Sequence, residues 1–187
     1  AGGFAPDMLW KIALASGPAA VAGVLLEEAA SGAFRAPLII AGTLAGVAVL
    51  MAAVDRKTGE GTAEKLGWGK ALLVGFAQTA ALVPGVSRSG ATMIAGIALG
   101  LSRAEAARFS FLLSVPITFG AAVFALRHLT LADVTLPFIV GVVVSALSGI
   151  WAIRFLLRFL KQHSFAPFVV YRLALAAAVV LLVLSRR

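Results

Sequence analysis

The sequence contains no cysteine, which excludes disulfide bonds, thiolate metal sites and a cysteine nucleophile. It is also poor in charge, because only 13% of its 187 residues are charged. Ordinary soluble domains carry roughly 25% charged residues. Only eight residues are acidic, and all of them fall in loops or at predicted helix ends. The composition therefore excludes an ordinary soluble domain.

Apolar residues are abundant instead: 61% of the chain is hydrophobic and the mean hydropathy is +1.02. Apolar runs separated by short charged loops are typical of a polytopic helical membrane protein. Strands are not expected, because the runs are too long and show no period-two alternation. The net charge of +8 does not indicate a nucleic-acid partner, because the basic residues lie mostly in loops, where membrane topology explains them.

Hydropathy predicts an all-α fold with about five membrane spans plus one broken helix pair. The predicted spans cover residues 12–26, 37–54, 107–126, 134–153 and 165–184. Two shorter runs, 68–83 and 91–101, lie between the second and third spans. The run 91–101 would be about 16 Å long as a helix, roughly half of a ~30 Å hydrocarbon core. We therefore predict a re-entrant helical hairpin over residues 68–101.

The distribution of basic residues supports this topology. A re-entrant hairpin places loops 55–67, 102–106 and 154–164 on one membrane face. With their flanks these loops hold nine basic residues, against four on the other face. The nine are Arg56, Lys57, Lys65, Lys70, Arg103, Arg108, Arg154, Arg158 and Lys161, and the four are Arg35, Arg127, Arg186 and Arg187. The richer face is predicted to be cytoplasmic. Two full spans would give the same distribution, so the shortness of 91–101 is what favours re-entrance.

A polar motif, PGVSRSGAT, begins at residue 84 between the two short runs. An arginine at the centre of a membrane helix costs at least ~2.5–3.5 kcal/mol, so such a residue is usually functional or paired. The guanidinium of Arg88 and the hydroxyls of Ser87, Ser89 and Thr92 form a plausible cradle for phosphate oxygens. A helix that starts after Gly90 would add free backbone N–H groups. The alternative is a simple turn whose arginine snorkels to water.

Four further polar residues have predicted roles. Ser102 and Glu105 form a capping box, in which Ser102 caps a helix and Glu105 reaches back to it. Gln78 either links the two arms of the hairpin or faces a cavity. Arg172, about 10 Å into the last span, either snorkels to the membrane surface or points inward.

The motif resembles the signature of the bacterial undecaprenyl-diphosphate phosphatases, the bacitracin-resistance membrane family. Other stretches agree with that family in order and spacing. They are Ser102-Arg103 followed by Phe109-Ser-Phe-Leu-Leu113 and Pro116, and Phe165-Ala-Pro-Phe168 followed by Tyr171-Arg172. The resemblance covers essentially the whole chain.

The resemblance implies a multi-pass hydrolase of the bacterial inner membrane that converts undecaprenyl diphosphate to undecaprenyl phosphate and phosphate. This reaction recycles the lipid carrier of peptidoglycan synthesis and confers bacitracin resistance. The implied architecture is two inverted repeats, each with a re-entrant hairpin whose tip reaches mid-membrane. Residues 1–67 would then be the remainder of the N-terminal repeat, and residues 68–187 the C-terminal repeat. Undecaprenyl diphosphate and membrane lipids are the implied partners, and a homodimer is left open.

The resemblance also assigns site residues. It makes Arg88, Ser87 and Ser89 catalytic, and it makes Gly85, Gly90, Thr92 and Arg172 substrate-binding. A divalent cation, Mg²⁺ or Ca²⁺, is implied as cofactor, with ligands outside this chain. The family's acidic stretch (Glu-Gly-x-x-Glu type) and its Ser-Ser-Thr-Gly-His stretch are absent here, and Glu27 and Glu28 are predicted to be solvated instead. The chain therefore resembles the C-terminal part of a longer protein, and we expect the 187 residues alone to be inactive. The alternatives are a polyprenyl-phosphate transporter or flippase, or an inactive fragment.

Overall fold

The computed structural model describes residues 6–25, 36–57 and 59–185, and within these ranges the chain forms helices and no β-strand. The predicted positions Glu27, Glu28, Arg35, Arg186 and Arg187 lie outside the described residues. The α-helices are α1 (Met8–Leu25), α2 (Pro37–Asp55), α3 (Trp68–Thr79), α4 (Arg88–Ala98), α5 (Arg103–Leu126), α6 (Leu136–Phe159) and α7 (Ala166–Ser185). Short 3₁₀ turns follow α3 (Ala80–Leu82) and precede α6 (Leu131–Asp133). The all-α prediction is confirmed.

Five of these helices, α1, α2, α5, α6 and α7, are long and apolar enough to cross a membrane. Their number agrees with the prediction, but several boundaries do not. Helix α1 starts at Met8, four residues before the predicted span. Helix α6 continues to Phe159, so Arg154 and Arg158 lie on a helix and not in the predicted loop. The prediction was wrong here because loss of hydropathy marks the edge of the bilayer, whereas arginine is itself a good helix former. Helix α4 starts at Arg88 and not after Gly90, because Ser87 caps it.

The bundle is built from two long packed pairs, α1 with α3 and α2 with α7. Helices α4 and α5 complete the core, in which Val74, Ile97, Phe109 and Leu113 are almost fully buried. Helix α6 packs only lightly against α5 and buries none of its apolar stretch. An apolar helix left open in this way suits contact with lipid.

Helices α3 and α4 form an antiparallel hairpin. At its open end, Lys70 Nζ donates a hydrogen bond to the carbonyl of Leu99 at 3.0 Å. At its closed end lies the tip loop, residues 84–87, which contacts Thr43 of α2 and Arg172 of α7. At 1.5 Å per residue, Thr43 lies about 18 Å from the end of α2 at Asp55, and Arg172 lies about 10 Å from the start of α7, which meets Asp55. The tip loop is therefore deep in the bundle. Its insertion from one membrane face stays a prediction, as does the inverted repeat.

Asp55, at the end of α2, joins three connections of the chain. Its Oδ1 pairs with Arg103 Nε at 2.5 Å, and its Oδ2 accepts a hydrogen bond from the backbone N–H of Phe165 at 3.2 Å. The loops around 55–67, 102–106 and 164 therefore meet at one end of the bundle, as the charge distribution predicted. That this end is cytoplasmic stays a prediction, and so does the division of the chain at residue 67.

The predicted capping box at the start of α5 is half right. Ser102 Oγ accepts a hydrogen bond from the Glu105 N–H at 3.3 Å, so Ser102 is the cap. The Glu105 carboxylate, however, accepts from the Ala63 N–H at 2.9 Å and does not reach back to Ser102. The reason is that the Ser102 N–H is already bonded to the Gly61 carbonyl at 3.0 Å. Glu105 instead fastens loop 56–67 to α5.

Candidate functional site at the hairpin tip

The tip loop has an unusual backbone. Gly85 has φ +91°, and a Cβ there would lie 2.8 Å from the Ile40 carbonyl oxygen and would overlap Thr43. Glycine is thus required both by the dihedral angle and by the close approach of α2. Ser87 has φ +65°, the only positive value for a non-glycine residue within the described ranges. Such a residue costs about 1–3 kcal/mol and persists only where its surroundings impose it, most often at functional sites.

Two side chains from neighbouring helices hold this loop. Arg172 Nη2 donates hydrogen bonds to the carbonyls of Gly85, at 2.5 Å, and Val86, at 3.2 Å. Thr43 Oγ1 donates to the Pro84 carbonyl at 2.7 Å. Arg172 therefore points inward, which decides between the two orientations that the sequence left open. Its Nε is buried and has no hydrogen-bond partner among the described residues.

The first turn of α4 presents several hydrogen-bond donors. Ser87 Oγ accepts from the Gly90 N–H at 3.3 Å and lies 3.4 Å from Ser89 Oγ. Within the described ranges, nothing accepts a hydrogen bond from the backbone N–H groups of Arg88 and Ser89. Free N–H groups and the positive end of the helix dipole make such a turn a favourable position for an anion.

A cavity of about 200 Å³ opens beside this turn. Its polar lining comes from Ser87, Ser89, Tyr171 and Arg172, together with the backbone at Gly90. The apolar part of the lining comes from Met51, Met93, Leu156, Phe165 and Phe168. The described lining combines one cation, three hydroxyls and an apolar wall, and no carboxylate is among these residues.

The structure brings only some of the predicted site residues together. Ser87, Ser89, Gly90 and Arg172 line the cavity, whereas Gly85 packs against α2. Thr92 does not line it: its buried Oγ1 lies 2.6 Å from Ser110 Oγ on α5.

Arg88 also points away from the cavity. Its Nη2 lies 3.4 Å from Thr118 Oγ1 of α5, a long hydrogen bond. Arg88 as a whole residue is partly exposed, and its guanidinium makes no ion pair with any described residue. The roles of Arg88 and Thr92 toward a substrate stay predictions.

Some residues around the site were assigned differently, or not at all, from the sequence. Gln78 was expected to link the hairpin arms or to face a cavity, and it does neither. Its side chain is buried, with both amide atoms lacking a partner among the described residues, and it is not part of the cavity wall. Thr43 and Tyr171 were not assigned a role. Thr43 could have been noticed as a hydroxyl inside an apolar run. Tyr171 could have been noticed because it stands next to Arg172 in the Tyr-Arg pair that agrees with the family.

The cavity residues do not fit a divalent cation. Mg²⁺ and Ca²⁺ prefer carboxylate and carbonyl oxygens, and none of the described residues that line the cavity carries a carboxylate. Across the described ranges, no cluster of three or more His, Asp or Glu side chains is placed to hold a metal ion. The implied cofactor therefore stays a prediction, and no chemical step is derived through it.

Comparison with known proteins extends over nearly the whole chain. The family model described as bacitracin resistance protein BacA matches residues 4–178. A protein of Pelotomaculum thermopropionicum named undecaprenyl-diphosphatase is 48% identical over 181 residues, covering 96% of this chain and 69% of the relative. Proteins with the same name from Elusimicrobium minutum and Moorella thermoacetica are 42% and 44% identical, again over 96% of this chain and 69% of each relative. The chain belongs to the BacA family of bacitracin resistance proteins.

Proposed function

We propose that this multi-pass protein of the bacterial inner membrane functions in the hydrolysis of undecaprenyl diphosphate to undecaprenyl phosphate and phosphate, and that the cavity beside the hairpin tip binds the diphosphate group. The observation that carries the proposal is the convergence of donors on the cavity. Two serine hydroxyls, the first turn of α4 and the Arg172 guanidinium all border it. The names of the relatives supply the substrate and the reaction.

The electrostatics of the cavity favour an anion. Hydroxyl and backbone N–H groups at a helix start can each donate a hydrogen bond to a phosphate oxygen. Because no carboxylate stands among the described residues that line the cavity, none of them repels the ligand's negative charge. Arg172 already donates two hydrogen bonds to the tip loop, so it would act as a positioning residue that keeps Ser87 and Ser89 in place.

Arg88 adds a second source of positive charge on the same helical turn. Its guanidinium makes one long hydrogen bond at an exposed position and no ion pair with any described residue, so it is available to a polyanion bound at the hairpin tip. The proposed role of Arg88 is therefore to contact the diphosphate from outside the cavity wall.

The dimensions of the cavity fit the headgroup and not the lipid tail. At about 200 Å³ it is smaller than the roughly 300–1,000 Å³ that drug-sized ligands occupy. A polyprenyl chain must therefore leave the cavity. Met51, Leu156 and Phe168 provide an apolar wall along which its first units would pass into the bilayer.

Binding and turnover place different demands on the site. Hydrolysis requires a group that orients or deprotonates the nucleophile, and the part of the cavity wall that the structure describes offers no carboxylate or histidine for this task. We therefore keep the prediction that the 187 residues alone bind undecaprenyl diphosphate without hydrolysing it. The same feature favours the second candidate, a polyprenyl-phosphate carrier, which needs binding only.

The test uses the purified chain in detergent micelles and measures two quantities, the Kd for undecaprenyl diphosphate and the rate of phosphate release. We expect saturable binding that inorganic diphosphate competes away and that undecaprenol, which lacks phosphate, does not show. Binding of undecaprenol as tight as that of the diphosphate would overturn the proposed headgroup site. Phosphate release by the chain would overturn the prediction of inactivity. Equal Kd values for the mono- and diphosphate would favour the carrier.

A further inference from the structure

A second concave surface lies outside the proposed catalytic site, at the end of α6. It is a groove of about 460 Å³ on the side of the helix, and Trp151, Arg154, Phe155, Arg158, Phe159 and His163 form its walls. We name it the α6 groove. Leu156 of the same helix turns the other way and lines the cavity at the hairpin tip, so the two surfaces are separate.

One wall of the α6 groove is a continuous stack of rings. Trp151 and Phe155 stack with their centroids 5.6 Å apart, Phe155 and Phe159 at 5.9 Å, and Phe159 and His163 at 4.3 Å. Yet Trp151 and Phe155 remain 69% and 52% exposed. Aromatic side chains exposed near the end of a membrane span are typical of the headgroup region of a bilayer.

The other wall carries unpaired positive charge. Arg154 and Arg158 are exposed, lie one helical turn apart and make no ion pair with any described residue. Two other basic side chains near this end of the bundle are paired: Lys11 with Asp7 at 2.7 Å and Arg103 with Asp55 at 2.5 Å.

No Asp or Glu is among the described residues that line this groove, and residues 134–187 contain none. The charge is therefore left for a partner from outside the chain.

We propose that the α6 groove binds the headgroup of an anionic phospholipid of the surrounding bilayer. Arg154 and Arg158 lie about 6 Å apart along the helix axis, and their guanidiniums would hold the phosphate by charge-assisted hydrogen bonds. The stacked rings would lie against the glycerol and the start of the acyl chains. The exposed apolar face of α6 then continues toward the membrane interior through Leu147 and Val143. The lipid's net negative charge is what distinguishes it from a zwitterionic phospholipid, which carries a phosphate as well.

The three tryptophans of the chain allow a direct measurement. With Trp10→Phe and Trp68→Phe, Trp151 in the groove becomes the sole fluorescent indole. The full chain is reconstituted in phosphatidylcholine vesicles that contain an equal mole fraction of brominated phosphatidylglycerol or brominated phosphatidylcholine. We expect stronger quenching of Trp151 by the brominated phosphatidylglycerol. Equal quenching by the two lipids overturns the proposal without any further variant, and it leaves the proposed diphosphate site unaffected.

Two double variants separate a site from a general attraction. Each arginine near an anionic surface contributes roughly fivefold to binding, so Arg154→Gln with Arg158→Gln should lower the phosphatidylglycerol preference roughly 30-fold. Arg56→Gln with Lys57→Gln removes two exposed charges from the same end of the bundle and should retain the preference. An equal loss in both double variants would overturn the proposal, since it would mean nonspecific attraction. Loss of the preference in phosphate buffer, but not in chloride of equal ionic strength, would assign the groove to free phosphate and overturn the lipid.

Discussion

Replacing Arg172 by glutamine tests how the hairpin tip is held. In the native protein one guanidinium nitrogen, Nη2, bonds two consecutive carbonyls of the tip loop, those of Gly85 and Val86. These bonds join α7 to a loop about half the chain away in sequence. Glutamine is shorter and uncharged, so we expect it to lose both bonds while retaining most of the apolar contact of the side-chain stem.

The expected loss of stability follows from these contacts. A hydrogen bond that involves a charged group contributes about 1.5–3 kcal/mol, so the two bonds together contribute roughly 3–6 kcal/mol. Removing a guanidinium whose Nε is buried without a partner relieves some desolvation, which offsets part of this sum. We therefore expect Arg172→Gln to lower the free energy of unfolding by about 2–4 kcal/mol. Arg172→Lys should lose about half as much, because an ammonium can reach one carbonyl.

The assay is unfolding by a titration of sodium dodecyl sulfate into mixed micelles, followed by the loss of helical circular dichroism. Arg56→Gln is the matched control, because Arg56 is exposed and its side chain makes no ion pair with any described residue. A surface change of this kind should alter stability by less than about 0.5 kcal/mol. If Arg172→Gln unfolds at the same midpoint as Arg56→Gln, the tip loop is not held by Arg172 and the reasoning fails.

Three further predictions use other parts of the molecule. Gly85→Ala should lower the unfolding midpoint in the same titration, since it forces an alanine to φ +91° and into contact with α2. The control Gly120→Ala should not lower the midpoint, because Gly120 has open space around it. Equal midpoints for the two variants would contradict the account. Arg88→Ala should raise the Kd for undecaprenyl diphosphate at least tenfold. Arg88→Lys should give roughly the same result, because an ammonium cannot make the bidentate contact of a guanidinium with two oxygens. An unchanged Kd for Arg88→Ala would show that Arg88 is not part of the site. Hydrogen bonds from the hydroxyl and N–H of Thr130 hold the pKa of Asp133 below its ordinary 3.8. This loop contact should therefore be fully present above pH 3.8 and lost as the pH falls through the lowered pKa. The hydrogen-exchange rate of the Thr130 amide should follow that change, and an identical pH profile in Asp133→Asn would exclude the contact as its cause.

The fold was largely predictable from the sequence, because the determinants of the spans are local. Hydropathy identified all five spans, and the two short runs between the second and third spans correspond to the helices α3 and α4. The Ser102 cap was also predicted, since a capping serine acts within one turn of chain. The Glu105 contact was predicted incorrectly because its partner, the Ala63 N–H, arrives from a distant loop.

The site was less predictable, because side-chain direction depends on how helices pack. The motif correctly indicated Ser87 and Ser89 as neighbours at a helix start. It gave no means of seeing that Ser87 itself caps α4, which turns Arg88 toward Thr118 and away from the cavity. The inward orientation of Arg172 likewise depends on the carbonyls that α4 and its loop present to α7.

The central claim is that the serine hydroxyls at the start of α4 bind the diphosphate. The most direct measurement is the Kd of the purified chain for undecaprenyl diphosphate, compared between Ser87→Ala with Ser89→Ala and the control Ser114→Ala with Ser148→Ala. The control hydroxyls donate to carbonyls of their own helices and lie outside the cavity. We predict a Kd roughly 100-fold higher for the first pair, from two lost bonds to a charged group of at least ~1.5 kcal/mol each, and no change for the second. Equal Kd values for the two pairs, in variants with the same helical content, would contradict the claim.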